Sequence, residues 1–315
     1  MLDLINKLVL LNTTKNNYNN INDAINLCID YFNDCKNIFI KKDIINGNLS
    51  ILFSNYQEFN FDVLSICHID VVPMQNNNYK LIKDNNIIYG RGVFDMKSFI
   101  VSALYNLKQI IKQQLNIKYG ILIVSNEETA YESDVKYWIN KLNTKVVLDA
   151  DNGCGNIDSI IKENLGAITI KLSKKDKNTI NLIKNNFNKF YCNIINDEID
   201  ILFNNTNIEQ DLLNCMKNDT TYSIIMLNKY IENDLNNKYH ILYKNILENE
   251  INKKVKYIIS KNTTDSRFFS YKNITVIGNQ ANGGNYHKLN EWLDYNSLLQ
   301  FNKIQFEFLS RFNYI

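Results

Sequence analysis

The sequence predicts an α/β protein: a mixed sheet flanked by helices, with a small α+β domain inserted into it. Val63–Cys67, Tyr119–Val124 and Val146–Leu148 are short apolar runs bounded by polar residues, as buried strands are. Helical patterns separate these runs along the chain, which favours a sheet whose interior strands are parallel. A different order of elements, between residues 167 and 227, indicates the inserted domain.

Helices are predicted where apolar residues recur every three or four positions, and strands where short apolar runs end in turn residues. The signal Asn46-Gly47 predicts a tight hairpin between the first two strands. The predicted helices outside the insertion are Leu2–Leu11, Asn22–Phe32, Ser98–Ile111, Val135–Leu142, Tyr239–Leu247 and Tyr295–Phe312. The further predicted strands there are Asn37–Ile40, Leu49–Phe53, Val255–Ile259 and Ile274–Ile277.

The insertion follows the order β-α-β-β-α-β, which is the ferredoxin-like pattern. We therefore expect a main domain made of residues 1–165 and 229–315 and an inserted lid of residues 166–228. The predicted lid strands are Ala167–Leu172, Tyr191–Ile195, Glu198–Phe203 and Tyr222–Leu227, and its predicted helices are Ile180–Phe190 and Ile208–Met216.

Composition excludes several classes of protein. The net charge is +2, from 35 basic and 33 acidic residues, so the whole chain has no charge excess that would attract nucleic acid. The six cysteines form no Cys-x-x-Cys pair, which indicates reduced thiols. No apolar run approaches about 20 residues, and the N-terminal segment lacks the features of a signal peptide. We therefore expect a cytoplasmic protein with no membrane segment.

Polar side chains follow each of the three buried strands. His68 and Asp70 follow the first strand, Glu127 and Glu128 the second, and Asp149 and Asp151 the third. Open α/β sheets bind ligands beyond the carboxyl ends of their strands, so these pairs should converge on one place.

Two further residues complete a set of metal ligands: Asp95, after a glycine-containing turn, and His287, in a polar loop near the end of the chain. Two imidazoles and three carboxylates suit zinc, and also cobalt or manganese. Five ligands are too many for one catalytic zinc but fit two ions about 3.5–4 Å apart, bridged by a carboxylate and a water. Asp95 is the natural bridge. The predicted ligands are His68, Asp95, Glu128, Asp149 (or Asp151) and His287.

Glu127 and Glu128 are adjacent, so both cannot easily bind one ion. We expect Glu128 to bind metal and Glu127 to act as the general base toward the bridging water, whose proton it would pass to a leaving amine. The sequence therefore predicts hydrolysis of an amide bond without a covalent intermediate.

The segments HIDVVP, GRGVFDMK, SNEET, LDAD, TTDSRF and YHKLNE, in this order, resemble the two-zinc exopeptidase and deacylase family. That family includes succinyl-diaminopimelate desuccinylase, acetylornithine deacetylase, carboxypeptidase G2 and the aminoacylases. The resemblance covers residues 1–165 and 235–315 and is greatest to the desuccinylase branch. It implies a mixed α/β zinc domain with a ferredoxin-like lid, in agreement with the domains above.

The resemblance also assigns roles to single residues. It implies that His68 and Asp149 hold one zinc, that Glu128 and His287 hold the other, and that Asp95 bridges them. It implies that Asp70 orients His68 and that the peptide bond between Asp95 and Met96 is cis. Asp149 is preferred to Asp151 because it directly follows the strand. Thr263, Thr264 and Arg267 are the candidate substrate contacts.

The chain departs from the family in its lid. The lid is short and contains no histidine, whereas the family uses a lid histidine to help hold the oxyanion. Glu163-Asn164-Leu165-Gly166 replaces the arginine-containing segment of the desuccinylase, and the usual lid-mediated dimer is in doubt, so a monomer or a homodimer is expected. His240, just past the lid, is a possible substitute for that histidine, but we prefer to interpret it as an exposed helix residue.

The resulting hypothesis is a metal-dependent hydrolase of a small N-acyl amino acid. N-succinyl-diaminopimelate is the first candidate, which would place the enzyme in lysine biosynthesis. Acetylornithine, a carrier-protein conjugate and a dipeptide are alternative substrates. A non-catalytic, metal-binding scaffold relative is the alternative outside the enzyme class.

Overall fold

The computed structural model describes residues 1–74, 79–128, 133–151, 154–172, 192–195, 198–203, 222–262 and 264–315. All the helices named here belong to the main domain, and each has at least one buried apolar side chain. The helices are α1 (Leu2–Leu10), α2 (Tyr18–Asp30), α3 (Lys97–Gln113), α4 (Val135–Trp138), α5 (Lys238–Ile251), α6 (Arg267–Ser270) and α7 (Tyr295–Arg311).

The strands vary in length from nine residues, in the central sheet, to two or three residues. In chain order they are β1 (Phe39–Ile45), β2 (Asn48–Ser54), β3 (Asn60–His68), β4 (Ile82–Asp84), β5 (Ile87–Tyr89), β6 (Tyr119–Val124), β7 (Asn143–Asp149), β8 (Ser159–Asn164), β9 (Gly166–Leu172), β10 (Cys192–Ile195), β11 (Glu198–Phe203), β12 (Tyr222–Asn228), β13 (Ile231–Glu232), β14 (Lys256–Ser260), β15 (Thr275–Gly278), β16 (Gly283–Gly284) and β17 (Trp292–Asp294).

The central sheet has six strands in the order β1-β2-β6-β3-β7-β15. Strands β6, β3, β7 and β15 are parallel to one another, whereas β2 pairs antiparallel with both β1 and β6. The sheet is therefore mixed, as predicted. Because four neighbouring strands share one direction, their carboxyl ends meet at a single edge.

Apolar side chains cover both faces of this sheet. The larger core packs α1, α2, α3, α5 and α7 against one face. The smaller core, on the other face, is built around Trp138, whose ring nitrogen donates a hydrogen bond to the Ser50 hydroxyl at 2.8 Å. The helix predicted over residues 135–142 is a single helical turn, α4, followed by turns.

The predicted hairpin between β1 and β2 is present. Asn46 and Gly47 have φ angles of 52° and 85°. Two successive residues with positive φ are the signature of the tight turn that suits a twisted hairpin, and Asn-Gly favours it.

The predicted lid strands form a separate antiparallel sheet in the order β10-β11-β9-β12. Numbered within the lid, this order is 2-3-1-4, the ferredoxin-like arrangement. The two predicted lid helices, 180–190 and 208–216, lie outside the described residues. The predicted fold class, a mixed α/β domain with an inserted α+β lid, is confirmed.

Two small sheets were not predicted from the sequence, although one of their strands, β14, corresponds to the predicted strand Val255–Ile259. One has the order β13-β8-β14, and the other has the order β16-β17-β5-β4. Several of their strands are only two or three residues long, too short to show an alternating pattern. None of the described helices has both the length and the apolar character needed to cross a membrane.

Candidate metal centre

The predicted site residues are carried by the parallel strand ends and by two loops. His68 is the last residue of β3, Glu127 and Glu128 follow β6, and Asp151 lies two residues beyond β7. Asp95 precedes α3, and its peptide bond to Met96 is cis. His287 lies on the loop between β16 and β17. The chain thus delivers side chains from five separate segments to one edge of the sheet.

Asp95 lies between the two histidines. One carboxylate oxygen, Oδ1, is 2.9 Å from Nε2 of His68, and the other, Oδ2, is 3.0 Å from Nε2 of His287. The same nitrogen of His287 is 2.9 Å from a carboxylate oxygen of Glu128. A carboxylate whose two oxygens face different imidazoles has the geometry of a bridging metal ligand.

Asp151 completes the His68 side of the cluster. Its Oδ2 is 3.7 Å from Nε2 of His68. Ligand atoms of His68, Glu127 and Asp151 all lie within 4.8 Å of one another, and so do those of His68, Asp95 and Glu128. The two groups share His68, so they adjoin.

Asp149 has different partners. Its Oδ2 accepts hydrogen bonds from the hydroxyls of Thr264 and Ser266, each at 2.6 Å. Its Oδ1 accepts the backbone N–H of Asp151 at 2.8 Å. Both oxygens are therefore engaged in holding the neighbouring loop and Asp151. The geometry favours Asp151 over Asp149 as the candidate ligand and so reverses the preference drawn from the strand end.

Asp70 contacts His68 mainly through its backbone. The Asp70 carbonyl oxygen is 3.0 Å from Nδ1 of His68, and the nearer carboxylate oxygen is 3.6 Å away. The Asp70 carboxylate instead accepts the backbone N–H groups of Glu127, at 3.2 Å, and Glu128, at 3.0 Å. Asp70 therefore fixes both the histidine ring and the loop that carries the two glutamates.

Glu291 is a site residue for which no role was predicted from the sequence. Its buried carboxylate accepts the backbone N–H groups of Phe94, Asp95 and Gly92 at 2.8, 3.0 and 3.0 Å, and an Arg91 side-chain N–H at 2.6 Å. Glu291 lies four residues beyond His287, so it ties the loop of one predicted ligand to the loop of another. The segment GRGVFDMK contains the four donor residues, and YHKLNE contains Glu291. Their spacing in the sequence does not show that the two segments meet.

Two further contacts brace the segment around Asp95. The buried ammonium of Lys97 donates to the carbonyls of Leu8 and Leu11, at 2.9 and 2.8 Å, where α1 ends. Desolvation lowers the pKa of Lys97 to about 7. A Cβ atom at Gly283 would collide with the ring of Phe94, so a glycine there lets the loop that leads to His287 approach Asp95.

Like charges crowd the cluster. Burial, followed by the charge of Asp151, raises the pKa of Glu127 well above its usual range. Burial, followed by the charge of Asp95, does the same to Asp151. Hydrogen bonds to Asp95 and Glu128 raise the pKa of His287 to about 10.

The donor set fits divalent cations. Four acidic side chains, Asp95, Glu127, Glu128 and Asp151, lie around two imidazoles, and Oε1 of Glu128 is buried without a hydrogen bond among the described residues. A cation bound between these groups would relieve the carboxylate repulsion and give Glu128 a partner. Nitrogen and oxygen donors in this mixture suit zinc and its neighbours in the first transition row.

The predicted substrate contacts are only partly described. Thr263 lies outside the described residues. Thr264 is buried, and its hydroxyl donates a hydrogen bond to the Asp149 carboxylate. The Arg267 guanidinium donates a hydrogen bond to the Thr264 carbonyl at 2.8 Å. His240 lies in α5, but it is only 3% exposed, so the prediction of an exposed residue is wrong. It lines a different cavity, of about 240 Å³, together with Asp234 and Asn237.

Several known proteins are similar to this chain in sequence or in fold. An uncharacterised metallohydrolase of Methanocaldococcus jannaschii is 27% identical over 261 residues, which is 70% of this chain and 72% of that protein. A succinyl-diaminopimelate desuccinylase of Legionella pneumophila is 29% identical over 121 residues, which is 35% of this chain but only 32% of that enzyme.

Among solved structures, an M20 family metallo-carboxypeptidase of Sulfolobus solfataricus superposes with a TM-score of 0.77 at 13% identity, over 100% of this chain and 99% of that one. At this identity the likeness shows the shared fold. The family model described as "Peptidase family M20/M25/M40" matches residues 64–311, well over half of the chain. The chain therefore belongs to the peptidase family M20/M25/M40.

Proposed function

We propose that this chain hydrolyses the amide bond of a small N-acyl amino acid and that Glu127 serves as its general base. Membership of the M20 family makes the chain a metallopeptidase-type hydrolase. The observation that carries the proposal is the position of Asp95, which faces both His68 and His287, with Glu127 beside His68.

His68 and Asp151 would hold one divalent ion and Glu128 and His287 a second, with Asp95 between them. Zinc is the first candidate, and cobalt or manganese would suit the same donors. When bound, the ions would polarise the scissile carbonyl and lower the pKa of the attacking water toward about 7. The assignment of Asp151 in place of Asp149 follows from the hydrogen bonds that occupy Asp149.

The two adjacent glutamates have separable tasks because their carboxylates face different partners. Glu128 faces His287, whereas Glu127 faces His68 and Asp151. Glu127 can therefore accept a proton from the attacking water and return it to the leaving amine. Asp70, which binds the backbone of both glutamates, would keep Glu127 in position.

N-succinyl-diaminopimelate is our first candidate substrate, and that activity belongs to lysine biosynthesis. The partial similarity to a desuccinylase supports it. Acetylornithine-type, aminoacylase-type and dipeptidase-type substrates are the alternatives, because the lid entry, Glu163-Asn164-Leu165-Gly166, offers no arginine for a succinyl carboxylate. Thr263, Thr264 and Arg267 remain proposed contacts for the substrate.

The test is a substrate panel assayed with the chain loaded with zinc, cobalt or manganese. The panel contains N-succinyl-diaminopimelate, N-acetylornithine, N-acetyl amino acids and dipeptides. We expect turnover of at least one, abolished by a chelator and by Glu127→Gln. Two bound ions per chain without turnover of any panel member would refute the proposed reaction and favour a binding scaffold.

A further inference from the structure

The chain enters and leaves the lid beside a small cavity that is lined in part by Thr264 and Arg267, two of the proposed substrate contacts. It lies between the entering residues, Asn164 and Leu165, and the leaving residues, Asn228 and Lys229. The remaining lining residues are Ile231, Thr264, Ser266 and Arg267. The cavity measures about 10 Å³, so it holds about one water-sized occupant.

Two residues that line this cavity, Asn228 and Arg267, each have a buried donor atom with no partner in the part of the chain that the structure describes. Arg267 is 8% exposed and Asn228 is 4% exposed. Among the described residues, neither Nε of Arg267 nor Nδ2 of Asn228 makes a hydrogen bond. A buried N–H without an acceptor is costly, so two of them on residues around one cavity indicate an occupant that accepts hydrogen bonds.

The charges around the cavity favour an anion over water. Arg267 and Lys229 both line it, and no aspartate or glutamate is among its described lining residues. Among the described residues, the carboxylate that lies closest to Arg267 is that of Asp265, 3.6 Å from Nη1, which is longer than a hydrogen bond. Asp265 lines the cavity beside His68 and Glu127 instead. The positive charge at the lid junction is therefore only partly balanced.

We propose that this cavity binds a single small anion, chloride from solution, through Arg267, Asn228 and Lys229. The anion would join the strand that leaves the lid to the loop whose Thr264 and Ser266 hold Asp149. It would thereby link the lid junction to the segment that carries Asp151. This inference assigns Arg267 to the anion instead of the substrate, and it does not depend on which substrate the chain hydrolyses.

The decisive experiment is a bromide soak of crystals of the full chain. Bromide scatters anomalously and replaces chloride at halide sites. We expect an anomalous peak in hydrogen-bonding contact with Nε of Arg267 and Nδ2 of Asn228. A featureless or water-like density without anomalous signal there would overturn the proposal, and so would bromide confined to surface lysines.

Thermal unfolding gives an independent readout. At constant ionic strength, replacing gluconate by chloride at about ten times its Kd should raise Tm by about 2 °C. Asn228→Asp places a carboxylate beside Arg267, so it should remove this response, and Lys229→Gln should weaken it. Lys254→Gln, whose side chain is 90% exposed and outside the cavity, is the matched control and should keep it.

Thermal unfolding also distinguishes chloride from other anions. If acetate or formate raises Tm and chloride does not, the cavity accepts a carboxylate oxygen, such as one from a substrate, and the chloride proposal is wrong. If the native chain and Asn228→Asp respond equally to chloride, the response does not come from this cavity, and the proposal is equally wrong.

Discussion

The carboxylate of Glu291 accepts a hydrogen bond from the backbone N–H of Asp95 at 3.0 Å. A residue of the His287 loop therefore holds the backbone of the predicted bridging ligand. The same carboxylate binds Phe94, Gly92 and Arg91. Four donors converge on one buried side chain that would not itself contact a metal or the reacting atoms. Glu291 is therefore a positioning residue.

Glu291→Gln should weaken metal binding by about 10- to 100-fold, because an amide nitrogen cannot accept the hydrogen bonds now made to one of the oxygens. The measurement is a metal titration against a competing chelator, with circular dichroism to confirm folding. Glu250→Gln, which alters a surface ion pair with Lys303, is the matched control. An unchanged metal affinity in Glu291→Gln would refute this role.

Asp149 and Asp151 can be distinguished by a matched pair of variants. Asp151→Asn should lose about one metal ion per chain, because it removes a predicted ligand. Asp149→Asn should keep both ions with an affinity lowered by about tenfold, because it disturbs only hydrogen bonds to Thr264, Ser266 and the Asp151 backbone. Metal analysis after dialysis gives the answer, and the opposite result would restore Asp149 as the ligand.

Glu127→Gln should lower kcat by about 10²- to 10⁴-fold while the metal content stays at the native value, since general acid–base catalysis contributes a factor of that size. Steady-state kinetics on whichever substrate the panel identifies, together with metal analysis of the same sample, measures both quantities. A loss of metal that accompanies the loss of rate would show Glu127 to be a ligand instead.

His240 should make the protein less stable in acid. Burial lowers its pKa in the folded chain, although the Val276 backbone and the charge of Asp234 act in the opposite direction. Below pH about 6.5 the unfolded chain binds a proton that the folded chain does not, so stability is full above that pH and falls as the pH decreases toward the folded pKa. His240→Gln should therefore flatten the dependence of unfolding free energy on pH by up to about 1.4 kcal/mol per pH unit between pH 6.5 and the folded pKa.

Urea unfolding of both chains at a series of pH values between 5 and 8 measures this difference. Lys254→Gln, a surface change near the end of α5, serves as the control and should keep the native slope. Parallel stability curves for His240→Gln and the native chain would contradict the prediction.

The sequence predicted the central sheet well because its strands are continuous apolar runs whose ends carry the site residues. β6 has the predicted bounds, Tyr119–Val124. β3 runs from Asn60 to His68, so it is a little longer at each end than the predicted strand Val63–Cys67. The choice between Asp149 and Asp151 could not be made in this way. Both follow the same strand, and the choice depends on Thr264 and Ser266, which lie more than 110 residues further along the chain. Glu291 was missed for the same reason, since its hydrogen bonds to residues 91–95 span about 200 positions.

The most direct test of the metal centre is a crystal of the full chain grown with zinc and measured at the zinc absorption edge. The account predicts two anomalous peaks about 3.5–4 Å apart on opposite sides of the Asp95 carboxylate. One should contact His68 and Asp151, and the other Glu128 and His287. Zinc-saturated crystals with no peak between these residues, or with a single ion that leaves His287 or His68 without a metal contact, would contradict it.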